Sequence, residues 1–143
     1  MPGESTNIIT RPPLPPLAKG GSSAIIVFEK KPRWEAELKR ELSRDKTRVR
    51  AVRTTRAILP LVRELPGSVV VLDFDAAPAD CLRLIGTLSE TSSALPVAIA
   101  SPALAELEWT ARELGAVAFL PVTITGERLA RLCARLLRVA AHG

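Results

Sequence analysis

Apolar and polar positions along the chain switch repeatedly between two periods, and each switch marks an element. "AIIVF" at residues 24–28 is a short continuous apolar run rich in β-branched residues, the pattern of a buried strand. Just after Pro32, Trp34, Leu38 and Leu42 recur four apart, one face of a helix. "TRVRAVR" alternates instead, setting Val49 and Ala51 against Arg48 and Arg50, which predicts a half-exposed strand at a sheet edge. "TTRAILPLVREL" is helical but carries Pro60, so this helix either starts near Leu59 or is distorted in its first turns. "SVVVLD" at residues 68–73 and "PVAIAS" at residues 96–101 are two more buried strands, and "AVAFL" is a fifth. Three further helices lie in "ADCLRLIGTL", in "LAELEWTAREL" before Gly115, and in "TGERLARLCARLLRVAA".

Strand and helix thus alternate five times with short connections, which requires a parallel sheet with helices on both faces. An edge-like second strand beside fully apolar first, third and fourth strands predicts a flavodoxin-like α/β fold with strand order 2-1-3-4-5. Residues 24–143 form this one domain. Residues 1–23, with "RPPLPPLAKGGSS", predict a disordered Pro- and Gly-rich leader.

Composition changes this picture in few places. At 143 residues a second core would leave each half too small to bury much surface. No apolar run approaches the roughly 20 residues of a membrane span, and the N-terminus lacks the blocks of a secretory signal, so a cytoplasmic location is expected. Cys81 and Cys133 are too few and too far apart for a disulfide framework or zinc site, and fit reduced core thiols. His142 is the only histidine and sits at the C-terminus, which argues against a histidine-based triad. Gly20 and Gly21 precede the first strand, where a phosphate loop does not belong.

The net charge of +5 is concentrated: residues 24–66 hold twelve Lys/Arg against six acids. Arg48, Arg50, Arg53 and Arg56 line the edge strand, where phosphate contacts are conceivable. Aromatic platforms and a recognition-helix pattern are missing, so nucleic acid is the weaker alternative. Arginines also protect an exposed edge from pairing with other chains.

Ligands of such sheets gather beyond the carboxyl ends of the strands, near the first and third. That rule selects Glu29, Lys30 and Lys31, then Asp73 and Asp75, then Ser101, then residues 121–123. Here the chain resembles the receiver domain of bacterial two-component response regulators, over nearly all of residues 24–141. In "VVVLDFDAAP", Asp73 matches the phosphoacceptor. Ser101 matches the hydroxyl residue that bonds the phosphoryl group, and Phe119 in "GAVAFL" matches the switch aromatic. The resemblance implies a magnesium site at Glu29, Asp73 and the position of Asp75. It implies partners among histidine kinases or other signalling proteins, and no enzymatic turnover of a small molecule.

The departures are specific. Of the two acids that hold magnesium after the first strand, "FEKKP" keeps only Glu29, and the second is Lys30. The Lys that pairs with the phosphoryl group after the fifth strand is replaced by Val122. Magnesium needs only one or two protein carboxylates, so Glu29 and Asp73 suffice by count. An ammonium at about 5 Å would oppose a divalent ion by roughly 6 kcal/mol at an effective dielectric of about 20, unless Lys30 swings outward. Loss of the pairing Lys forfeits about 1.5–3 kcal/mol. Together these changes predict an atypical, degenerate receiver with impaired phosphotransfer at Asp73, a working phosphorelay receiver being the alternative. Lys30 is a candidate internal counter-ion that would lock Asp73, with Asp75 as its second anion; solvated loop charges are the simpler reading. The last two helices and fifth strand, residues 104–139, are the expected contact surface, including a homodimer. In it Trp109 is a candidate anchor, or else a core-facing helix residue.

Overall fold

The computed structural model describes residues 23–142; the leader predicted over residues 1–23 lies almost entirely outside them. Five strands, β1 (Ile25–Phe28), β2 (Val49–Val52), β3 (Val69–Asp73), β4 (Leu95–Ala100) and β5 (Ala118–Pro121), form one sheet. All neighbours pair in parallel, in the order β2-β1-β3-β4-β5. This is the predicted 2-1-3-4-5 order, with the alternating strand at the edge.

The pleat divides the core in two. Ile26, Phe28, Val70, Leu72 and Ala98 point to one face, where α2 (Ile58–Glu64), α3 (Pro78–Thr91) and α4 (Glu108–Leu114) cover them with Ile58, Val62, Ile85, Leu88 and Ala111. Ile25, Val27, Val69, Val71, Val97 and Ile99 point to the other. There α1 (Trp34–Glu41) and α5 (Gly126–His142) cover them with Trp34, Leu38, Leu129 and Cys133. Continuous apolar runs are needed because both faces of the inner strands are buried.

Pro60 is accommodated by a start that is not α-helical. A 3-10 turn at Thr55–Ala57 leads into α2, and Pro60 falls at its third residue, where a backbone donor has no intrahelical partner. Gly115 ends α4 at φ +128°, and a Cβ there would lie 1.7 Å from Ser89 Oγ. That hydroxyl instead donates to the Leu114 carbonyl at 2.7 Å, so the close approach of α3 to this turn needs glycine. The stretch expected to form one long fourth helix is two elements, a 3-10 segment at Pro102–Leu107 and then α4. The tighter winding of the 3-10 segment rotates α4 relative to a continuous α-helix. Within α4, Ala111 faces the core and Trp109, two residues earlier, faces solvent at 72% exposure, which removes the core-facing alternative.

Candidate functional site

Parallel strands deliver every selected residue to one end of the sheet. Glu29 follows β1, Asp73 closes β3, Ser101 follows β4 and Phe119 lies in β5. The role of each side chain there differs from that of its neighbour.

Glu29 is wholly buried. Its Oε1 accepts the backbone N–H of Arg33 at 3.1 Å and of Trp34 at 2.8 Å, and its Oε2 accepts that of Glu35 at 3.2 Å. Arg33 holds the N-cap position of α1 but contributes no side-chain cap, so a carboxylate four residues earlier satisfies the helix's orphan donors. The positive end of the helix favours that charge. Arg53, just past β2, completes the arrangement: its Nη1 donates to the Glu29 carbonyl at 3.0 Å and lies 3.8 Å from Oε2. The β1–β2 register, with Phe28 opposite Val52, sets these two residues side by side.

Asp73 is only partly buried. Its Oδ1 accepts the Asp75 N–H at 3.2 Å. Burial raises its carboxyl above the ordinary value of 3.8; the bond from Asp75 N–H lowers it, the negative charges of Asp75 and Glu29 raise it, and the Arg33 guanidinium lowers it. The Asp73 carbonyl accepts from Cys81 Sγ at 3.9 Å. Burial first, then the charges of Asp73 and Asp80, push the Cys81 thiol up to about 12. Burial alone does the same for Cys133, so both are inert thiols at neutral pH.

Ser101 turns to Asp75. Its hydroxyl donates to Asp75 Oδ1 at 2.9 Å, joining the loops after β3 and β4. Phe119 stacks edge-to-face on buried Phe74, with centroids 5.7 Å apart. Phe119, Ser101 and Pro102 border a shallow hollow of about 190 Å³ between β5 and the 3-10 segment.

Lys30 is exposed and makes no ion pair with Asp73 or Asp75 among the described residues. The cation that acts on Asp73 is Arg33. Its guanidinium stacks 3.8 Å from the Trp34 ring centre and donates from Nη2 to the Val122 carbonyl at 2.8 Å. A positive charge from the β1 loop is thereby fastened at Val122, just past β5. Sequence pattern does not single out Arg33 or Arg53 for these roles. For Arg33 the one available signal is an Arg at a helix N-cap, where Ser, Thr, Asp or Asn is usual. The place of Arg53 depends on strand register, which local pattern does not state.

A magnesium ion would have to share the oxygens of Glu29 with these backbone N–H groups, at a side chain that is wholly buried. No cluster of three or more His, Cys, Asp or Glu suited to a metal occurs among the described residues. The donor set is therefore a poor fit to the ion: Glu29 is buried on α1, and of the two acids Asp73 alone is partly open.

Compared with known proteins, the architecture is that of response-regulator receiver domains. The receiver domain of the TMAO respiratory system response regulator TorR superposes with a TM-score of 0.72 at 16% identity, covering 82% of this chain and 98% of that one. A response regulator from Thermotoga maritima gives 0.70 at 14% identity, with 82% and 98% covered. The receiver domain of NtrX from Brucella abortus gives 0.67 at 20% identity, with 80% and 98% covered. No family model and no curated protein matches the sequence. The likeness therefore rests on fold, with side chains that have diverged widely. No helix among the described residues is long and apolar enough to cross a membrane.

Proposed function

We propose that this domain is an atypical receiver that acts in signal transduction by contact with another protein, with phosphotransfer at Asp73 impaired or lost. The observation that carries this reading is the fate of Glu29, buried and bonded to three successive amides of α1. A residue so employed is wholly buried against the start of α1, so joining a metal shell would require it to shift or share its oxygens. Ser101 is likewise engaged by Asp75 and Arg33 by Val122, which supports a pocket ordered by its own contacts. Such a domain presents one conformation to its partner. The partner would be a histidine kinase or another signalling protein, or a second copy joined through α4, β5 and α5. Exposed Trp109, Leu114, Val117 and Val139 on that side support a contact surface there.

A second reading has its own support. Asp73 closes β3, Ser101 follows β4 and Phe119 lies within β5, and Asp73 is open enough to be reached. A conventional phospho-accepting receiver would use them so. Intact-mass measurement after incubation with magnesium and a small phosphodonor separates the two. Our reading expects the unmodified mass throughout; a stable gain of one phosphoryl group, absent from Asp73→Asn, would establish the second.

A further inference from the structure

Beside the Asp73 pocket, between the ends of β1 and β2 and the start of α3, lies an open cleft of about 350 Å³. Lys30, Arg53, Thr54, Thr55, Arg56 and Asp80 line it, over a floor that includes Phe28. Its volume falls at the lower end of the range of small-ligand sites. Its chemistry is one-sided. Asp80 is paired with Arg83 on its own helix, and Arg53 is held by Glu29. Among the described residues, Lys30 and Arg56 have no anion and the two threonine hydroxyls have no hydrogen bond, in an opening where three cations meet. Lys30 and Arg56 carry like charge beside Arg53, whose own charge Glu29 offsets, and a bound anion would supply the counter-charge that the first two lack.

We infer that this cleft binds a small phosphorylated ligand. Arg56 offers a planar fork of donors suited to phosphate oxygens, Lys30 a mobile point charge, and Thr54 and Thr55 hydroxyls. Arg53 is preorganised on the wall by its two contacts with Glu29, so its fork needs little ordering when a ligand arrives. Phe28 is 1% exposed and so gives no platform for stacking a base, which points to the phosphate group and away from single-stranded nucleic acid. Through Arg53 and Glu29 the cleft is also wired to the first turn of α1, independently of whether Asp73 is ever phosphorylated.

The test is an amide NMR titration of the whole chain with inorganic pyrophosphate, in parallel with citrate and a short DNA duplex. Pyrophosphate is expected to shift Thr54, Thr55 and Arg56 with saturation at or below about 1 mM. Lys30→Gln and Arg56→Gln, both at exposed positions and checked for unchanged melting, are each expected to weaken binding about tenfold. Absence of shifts at about 10 mM pyrophosphate, or an affinity in both variants equal to that of the parent protein, would overturn the proposal. Equal response to citrate would reduce the cleft to a general cationic patch, and tighter binding of the duplex through the same residues would replace it with a nucleic-acid contact.

Discussion

Two loops at the same end of the sheet carry acidic residues and treat them in opposite ways. After β1, Glu29 is sealed in and each oxygen has a backbone donor. After β3, Asp73 stays half-open, accepts one bond from Asp75, and has its carboxyl raised chiefly by burial. The difference teaches that position in a fold does not assign a role. Glu29 stabilises the molecule by accepting the first amides of α1, whereas burial makes the charge on Asp73 work against folding. One carboxylate was turned into architecture while its neighbour was left exposed to use.

The largest expected effect breaks the first half of this contrast. Glu29→Ala strands three amides at the start of α1 and leaves Arg53 without its anion. It should cost about 3 kcal/mol in urea unfolding, and a change below about 1 kcal/mol would mean the helix does not depend on it. Ser101→Ala, which removes the tie to Asp75, should cost about 0.5–1 kcal/mol and loosen the loops after β3 and β4 in hydrogen exchange.

Asp73→Asn should move stability the other way. Since the folded carboxyl sits above its ordinary 3.8, the native state holds the proton more tightly than the unfolded chain. Asp73 therefore favours folding most below the unfolded value, and that contribution is lost as pH rises through the folded one. The Asn variant should melt higher at neutral pH, by under about 1 kcal/mol given solvent screening, with the gain vanishing in acid. A neutral-pH loss on this substitution would mean that a cation holds Asp73 after all. Lys30→Ala sharpens the point at the small end: within about 0.5 kcal/mol of the parent if Lys30 is solvated, clearly destabilised if it locks the pocket.

Much of this was legible in the chain. Runs such as "VVVLD" and "PVAIAS", set between helical patterns, dictate a parallel sheet, and the polar edge of "TRVRAVR" placed β2 at its rim. Because strand ends are set by those runs, the sequence sets Asp73 and Ser101 at the same end of the sheet, with Phe119 in the strand beside them. Their partners are not set in this way. That Ser101 reaches Asp75, that Glu29 turns back onto α1, and that Arg33 spans to Val122 all depend on loop paths and inter-strand register. Trp109 faces outward because it lies two residues from buried Ala111 in α4, which puts the two on opposite sides of the helix.

The central claim is that the Asp73 pocket is set without metal or phosphate. Amide NMR of the whole protein titrated with magnesium and beryllofluoride, with Asp73→Asn as control, tests it most directly. The account predicts unchanged amides at Asp73, Ser101 and Phe119 to about 10 mM. Metal-dependent shifts at those residues, absent from the control, would show that Glu29 can release α1 and that the pocket still works as a phosphate switch.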